Sequence, residues 1–279
     1  MQNTYFIDRF FNLDKSESYF MSICLKADGF SVCIQDKGKK LLLLTHERLS
    51  DGDGFKTDII KKAFDAYPIF HTEYKRIYIM ISFPEKMLVP EEFFNLKTLS
   101  GYYGISHTIN EGDVLIYHKI EKSHTFIVSS LPGELIRFCN EYFNNPVIVH
   151  AVYPFIRYAL EHVSINTFHL FADIGNKHCN ILLICGGNIV LCNSYSYNSA
   201  KDVVYYILNI IDTEGIDRNH IYLNISGSVS SNKEIKNILS REIRRLSVLE
   251  IPELDYTIPK HTGFNSSEHI YLIHMTKCE

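Results

Sequence analysis

The chain has 279 residues, of which 46% are hydrophobic and 22% charged, and its formal net charge at pH 7 is -4. This composition is typical of a globular protein with a sizeable core, and the length suits one large domain or two of medium size. The negative charge excludes an overall field that would attract nucleic acid. No apolar run reaches about 18 residues, and the first residues lack the apolar segment of a secretory signal. We therefore expect a cytoplasmic protein that neither binds nucleic acid nor inserts into a membrane.

The cysteine and histidine patterns argue against a metal site. Seven cysteines are present without a C-x-x-C pair, and thirteen histidines without an H-E-x-x-H motif. Cys179 and Cys185 lie on one predicted strand, where a rise of about 3.3 Å per residue places them roughly 20 Å apart, too far to share a zinc ion. We therefore expect reduced thiols and no metal ligands.

The first half of the sequence begins with strands and continues with helices and strands in alternation. Between residues 19 and 44, three β-rich runs are separated by the turn segments KADG and DKGK, a pattern typical of a β-meander. Hydrophobic spacing then predicts helices at 56–66, 91–103, 133–143 and 154–163, and strands at 76–83, 113–120, 124–130 and 146–152.

The second half repeats this order, starting with the segments FHLFADIG, NILLIC and NIVLCNSY. Gly186-Gly187 is a typical two-residue hairpin turn between the last two segments, and both faces of the hairpin are apolar, so we expect it to be buried. Such a turn places Cys179, Ile181, Leu183, Val190 and Cys192 on one face and Leu182, Ile184, Ile189 and Leu191 on the other. Ser199 with Asp202, and Ser231 with Glu234, are predicted to cap the two helices that follow.

Two halves that each open with a meander resemble the duplicated ribonuclease-H-like domains of the superfamily of actin, hexokinase and the heat-shock chaperone ATPases. In that superfamily the second half opens with an Asp-x-Gly phosphate motif, which Asp173-Ile174-Gly175 matches, followed by Lys177. A later glycine pair that contacts adenosine has a partial counterpart in Gly227 and Ser228. The resemblance therefore implies a nucleotide cleft formed by Asp173, Gly175, Lys177, Gly227 and Ser228.

The first phosphate motif of the superfamily is not preserved in this chain. ICLKADGFSVCI has the length of that motif, but Cys24 and Lys26 stand at its aspartate and glycine positions. An alternative register would use Asp28-Gly29, which the residues explain equally as an ordinary hairpin turn. Because ATP hydrolysis requires magnesium held through carboxylates and a close backbone approach to the phosphates, the substitutions indicate a degenerate site.

Over its whole length the chain resembles an uncharacterised Bacteroidetes family with an actin-like ATPase fold, and its segment PVIVHAVYPFIRYALEH is similar to the pilus-assembly members. The resemblance implies an α/β fold with two ribonuclease-H-like domains, residues 1–160 and 161–279, whose mixed sheets carry helices on both faces. It favours a non-catalytic scaffold that binds a protein partner and no cofactor. Such a scaffold could form a homodimer. The alternative is an ATPase or kinase that binds ATP with magnesium; for a sugar or acyl kinase, Asp36 would be the candidate base.

Overall fold

The computed structural model describes residues 3–49, 55–227, 233–250 and 266–278. The strands are β1 Asn3–Ile7, β2 Phe20–Lys26, β3 Gly29–Gln35, β4 Leu41–Arg48, β5 Arg76–Ile81, β6 Met87–Pro90, β7 Asp113–Ile120, β8 Thr125–Pro132, β9 Val147–His150, β10 Phe168–Ile174, β11 His178–Cys185, β12 Asn188–Ser196, β13 Ile221–Gly227 and β14 Arg245–Val248. The α-helices are α1 Thr57–Asp65, α2 Leu99–Ser106, α3 Gly133–Tyr142, α4 Val152–Glu161, α5 Ala200–Thr213, α6 Lys233–Glu242 and α7 Ile270–His274.

The two main sheets share a five-stranded topology, to which the first sheet adds the edge strand β1. The first has the order β1-β4-β3-β2-β5-β9, and the second has the order β12-β11-β10-β13-β14. In each, an antiparallel meander is followed by two strands that run parallel to its first strand. The duplicated ribonuclease-H-like topology predicted from the sequence is therefore confirmed, while the domain boundary between residues 160 and 161 stays a prediction.

Each main sheet is buried on both faces. One apolar core lies between the first sheet and helices α1 and α3, and another lies between the second sheet and helices α5 and α6. A third core lies between the two sheets and includes side chains of α4 and α7. The helix α7, close to the end of the chain, thus returns to β2 and β3 of the first sheet.

A small third sheet, with the order β6-β8-β7, lies between β5 and α3 along the chain. The prediction of one helix over 91–103 is wrong, because only Glu91–Phe93 form a short 3-10 turn and α2 begins at Leu99. Between them, the Asn95 side chain accepts a hydrogen bond from the backbone N–H of Lys97 at 3.0 Å. This local turn competes with the helix, which the hydrophobic spacing did not reveal.

The turn of the second meander is confirmed, and Ile189 lies on the predicted face, paired with Ile184, but the predicted faces of β12 beyond Ile189 are wrong. Gly186 and Gly187 both have positive φ values, 58° and 82°, as a two-residue hairpin turn requires. The register shifts between Leu183 and Ile184, so that Leu191 pairs with Leu183 and Cys192 pairs with Leu182. A bulge of one residue exchanges the two faces of the strand beyond it.

The first of the two predicted caps is confirmed. Asp202 accepts a hydrogen bond from the backbone N–H of Ser199 at 2.9 Å and completes a capping box at the start of α5. The second predicted cap depends on Ser231, which lies outside the described residues.

Candidate functional site

A row of four polar side chains crosses the second sheet near the carboxyl end of β10. Asp173 on β10 pairs with Ser226 on β13 and with Asn180 on β11, and Asn180 pairs with Ser194 on β12. Residues that pair across neighbouring strands point to the same face of a sheet. The neighbouring apolar side chains of that face, such as Leu182, pack in the core between the two sheets, so the row faces the first sheet.

The carboxylate of Asp173 is the centre of a hydrogen-bond chain. Ser226 Oγ donates to Asp173 Oδ1 at 2.9 Å, and Ser194 Oγ donates to Asn180 Oδ1 at 2.6 Å. Asn180 also hydrogen-bonds to Asp173, and since its carbonyl oxygen accepts from Ser194, its amide group is the donor. Tyr271 Oη lies 2.7 Å from Ser226 Oγ and donates to it, because the serine proton is used for Asp173.

Lys26, at the end of β2, supplies the positive charge that faces Asp173 from the first sheet. Burial raises the pKa of Asp173, while the Lys26 ammonium and the hydrogen bonds from Ser226 and Asn180 act in the opposite direction, and the net shift is upward. Burial lowers the pKa of Lys26, but the acidic groups around it, Cys24 first and then Asp173 and Asp28, outweigh burial and raise this pKa. Lys26 itself is exposed to solvent, so its ammonium acts on Asp173 through its electrostatic field.

The two glycines of the predicted cleft have structural roles. A Cβ atom on Gly227, whose φ is +85°, would lie 2.2 Å from the carbonyl oxygen of Ile174 on the paired strand β10. Gly175 donates its backbone N–H to the carbonyl oxygen of His178 at 2.9 Å and so closes the turn between β10 and β11. Both glycines are explained by the backbone of the second sheet alone.

The structure therefore brings together part of the predicted site. Asp173 and Gly227 lie side by side with Lys26 opposite, whereas Lys177 is exposed at the tip of the turn after β10. Ser228 lies outside the described residues. The glycine position of the first phosphate motif is thus occupied by a lysine, whose positive charge lowers the pKa of the carboxyl group of the second motif against the effect of burial.

Sequence analysis did not find Lys86, which reaches across to the second sheet. Its ammonium group hydrogen-bonds to Ser194 Oγ, at the end of the polar row, and its side chain is only 8% exposed. Burial lowers the pKa of Lys86. The carbonyl oxygen of Lys86 lies 3.1 Å from Nε2 of His107, which follows α2. No motif marks this lysine, because its partner is distant in sequence.

The segment 266–278 was also not recognised as part of the site. Besides the contact of Tyr271 with Ser226, Thr276 Oγ1 donates to Gln35 Oε1 at 2.9 Å on β3. Lys39 Nζ donates to the carbonyl oxygen of Thr276 at 2.7 Å. Buried apolar side chains of α7 fill the space between the sheets. The segment therefore joins the polar row to the first sheet.

Comparisons with known proteins place the chain in a family. Residues 8–246 match the model of the family described as "Protein of unknown function (DUF3822)". The chain belongs to this family. A comparison with curated proteins gives no significant match.

Solved structures similar to this DUF3822 protein establish its fold. A Bacteroides thetaiotaomicron protein with an actin-like ATPase fold and unknown function has a TM-score of 0.84 and 20% identity, covering 97% of this chain and 100% of that one. The PilM-PilN type IV pilus biogenesis complex gives 0.62 at 10% identity, covering 95% and 99%. The ethanolamine utilization protein EutJ from Carboxydothermus hydrogenoformans gives 0.50 at 9%, covering 91% and 89%. The chain thus has the actin-like ATPase fold predicted from its sequence.

Proposed function

We propose that this DUF3822 protein is a non-catalytic actin-like scaffold, with a degenerate nucleotide cleft, that binds another protein. The observation that carries the proposal is the state of Asp173, whose carboxylate is hydrogen-bonded by Ser226 and Asn180 and faces the Lys26 ammonium. A magnesium-nucleotide complex would have to displace or share these interactions.

The charge balance of the cleft supports the same conclusion. Magnesium is normally bound through one or two carboxylates together with phosphate oxygens and water. Here the side chain at the first motif is the buried thiol of Cys24, and burial raises its pKa, so it remains neutral. Lys26 supplies a positive charge where close approach of the backbone to phosphate would favour glycine. The cleft thus provides one carboxylate, which already accepts hydrogen bonds from Ser226 and Asn180 and lies in the field of the exposed Lys26 ammonium.

A structural relative supports a function in protein binding. PilM, which has a similar fold, is found in a complex with PilN. In the described residues no helix has the length and apolarity needed to span a bilayer. We infer that this protein also acts in an assembly, in the cytoplasm, through a protein partner or a second copy of itself.

One observation favours the second candidate function, ATP binding with magnesium. Asp173 keeps the position of the second phosphate motif, and Lys177 is exposed on the adjacent turn, where its ammonium group could contact a phosphate as a point charge. Under this alternative, a phosphate group would attract the exposed Lys26 ammonium, and magnesium would share the Asp173 carboxylate with Ser226 and Asn180.

A phosphate-release assay separates the two candidates. The wild-type protein is incubated with ATP and magnesium, and phosphate release is compared with Asp173→Ala and with a sample without protein. The scaffold proposal predicts no release above background from either protein. Release by the wild type that the substitution abolishes would establish an ATPase and refute the proposal. Equal release by both proteins would indicate a contaminating enzyme, which an additional purification step would remove.

A further inference from the structure

The small third sheet presents an open edge beside an apolar groove. In the sheet order β6-β8-β7, the outer side of β6 pairs with no other strand of the described chain. Such an edge carries backbone N–H and C=O groups that can pair with an added strand. The groove, of about 280 Å³, runs along β6 and is closed on its other side by Phe93 and by α2.

The apolar side chains around this groove are unusually exposed. Phe93 is 62% exposed, and Tyr102 and Ile105 on α2 are 48% and 82% exposed. Single exposed apolar residues are common on protein surfaces, whereas a cluster beside a concave surface is typical of interaction sites. Here the cluster adjoins a strand edge, so apolar contacts and backbone hydrogen bonds are available in one place.

The groove is preformed by contacts behind it. Tyr103 of α2 is fully buried, and its hydroxyl accepts a hydrogen bond from the backbone N–H of Ser130 at 3.2 Å. The ring of Phe94 stacks on that of Phe126 with centroids 3.7 Å apart. Nε2 of His107, the residue after α2, lies 3.1 Å from the backbone carbonyl oxygen of Lys86, the residue before β6. Both walls are therefore fixed, which reduces the entropy cost of binding.

The charge of the surrounding segment selects the occupant. Residues 84–113 contain five acidic residues and two lysines, but Glu91 is already paired with Lys119 and His124, and Asp113 accepts hydrogen bonds from Asn110 and Ser130. One of these lysines, Lys86, is buried against the second sheet and does not reach the groove surface. Glu85 and Glu92 are exposed at the two ends of the segment that contains β6. An apolar segment flanked by basic residues would complement this surface.

We propose that the groove between β6 and α2 binds an extended segment of a partner protein, with apolar residues at alternate positions and lysine or arginine at its ends. The segment adds a strand to the sheet at β6, and its apolar side chains contact Phe93, Tyr102 and Ile105. This inference rests on the proposed scaffold function and assigns it a surface. The groove is separate from the polar row of Asp173.

The test uses a displayed library of peptides about eight residues long with that pattern, enough to span a short strand. Peptides enriched on the full wild-type protein are synthesised and titrated by fluorescence anisotropy without nucleotide. The binding is compared with Ile105→Lys and with the control Ile165→Lys, since Ile105 and Ile165 are both 82% exposed. We expect Ile105→Lys to weaken binding at least about tenfold and the control to leave it unchanged.

Two further measurements test the mode of binding. Exchanging the basic ends of a peptide for glutamate should weaken binding at least about tenfold, because the charge complementarity is lost. Exchanging its central residue for proline should weaken binding by a similar factor, because proline lacks the backbone N–H donor. Bound peptide should slow hydrogen exchange at the amide of Leu88 on β6.

Several results would overturn the inference. These are the absence of any enriched peptide, equal binding by the Ile105→Lys and Ile165→Lys variants, and exchange protection away from β6. Sedimentation that shows a dimer dissolved by Ile105→Lys would assign the groove to a second copy instead. None of these results depends on ATP turnover, so failure of this inference and failure of the scaffold proposal are distinguishable.

Discussion

Replacing Asp173 by alanine should destabilise the protein by about 2 kcal/mol. Two hydrogen bonds to the carboxylate are lost, from Ser226 at 2.9 Å and from Asn180. Hydrogen bonds to charged groups contribute about 1.5–3 kcal/mol each. The loss of these bonds is partly offset, because the alanine variant no longer has a carboxylate that must be desolvated on folding. That desolvation costs several kcal/mol for a buried ion and less for the half-buried Asp173. A net loss of about 2 kcal/mol corresponds to roughly 4 °C in Tm for a chain of this size.

The assay is guanidinium unfolding followed by circular dichroism, with Asp173→Asn as the matched variant. Asparagine keeps an acceptor for Ser226, so we expect it to lose about half as much stability as alanine does. Because the folded-state pKa of Asp173 is raised above 3.8, the neutral carboxyl adds stability at acidic pH that is lost as pH rises through that pKa. The stability difference between wild type and Asp173→Ala should therefore widen as pH falls toward 3.8.

A difference below about 0.5 kcal/mol between wild type and Asp173→Ala would refute the assignment of a structural role to this carboxylate. The same unfolding experiment with ATP and magnesium provides a second test. A ligand at a hundred times its Kd stabilises a folded protein by about 2.7 kcal/mol. Stabilisation of the wild type, but not of Asp173→Ala, would show that the carboxylate binds nucleotide.

Two further substitutions test other contacts. Lys86→Met should be neutral or should stabilise the protein by about 1–2 kcal/mol at pH 7, because it removes a buried ammonium. Lys97→Met, at an exposed site, is the control, and a loss of stability in Lys86→Met would contradict the prediction. The folded-state pKa of Lys86 lies below 10.5, so wild-type stability should rise with pH between these two values, and this contribution should be absent from Lys86→Met unfolding curves. Gly227→Ala should cost at least about 2 kcal/mol in chemical unfolding, because the added Cβ would lie 2.2 Å from the Ile174 carbonyl oxygen. The control Gly215→Ala also has a positive φ, 64°, but no atom lies within 4 Å of its Cβ, so equal losses would refute the steric argument.

Local patterns were sufficient for most of the individual elements, whereas the duplicated topology was implied by the resemblance to the actin superfamily. Apolar runs separated by turn segments, KADG and DKGK in the first half and Gly186-Gly187 in the second, predicted both meanders, and the spacing of apolar residues predicted most helices. These patterns failed where one residue changes the register, as at the bulge near Leu183, since period-two patterns do not reveal an inserted residue.

Only part of the site could be predicted, because its remaining contacts join residues far apart in the chain. Asp173 was found from its motif, and the misfit of Lys26 was visible from the alignment of motifs. The contact of Lys86 with Ser194 spans 108 residues, and that of Tyr271 with Ser226 spans 45. Neither pair has a sequence pattern, since a lysine and a tyrosine are each compatible with an ordinary surface or core position.

Calorimetric titration of the wild-type protein with ATP and magnesium tests the central claim, that internal contacts have replaced the nucleotide at this cleft. Loss of two phosphate or magnesium contacts removes a few kcal/mol, and about 1.4 kcal/mol is tenfold in affinity. We therefore predict a Kd in the millimolar range or weaker. Micromolar binding of one ATP per chain, lost in Asp173→Ala, would contradict the claim and identify a working nucleotide site.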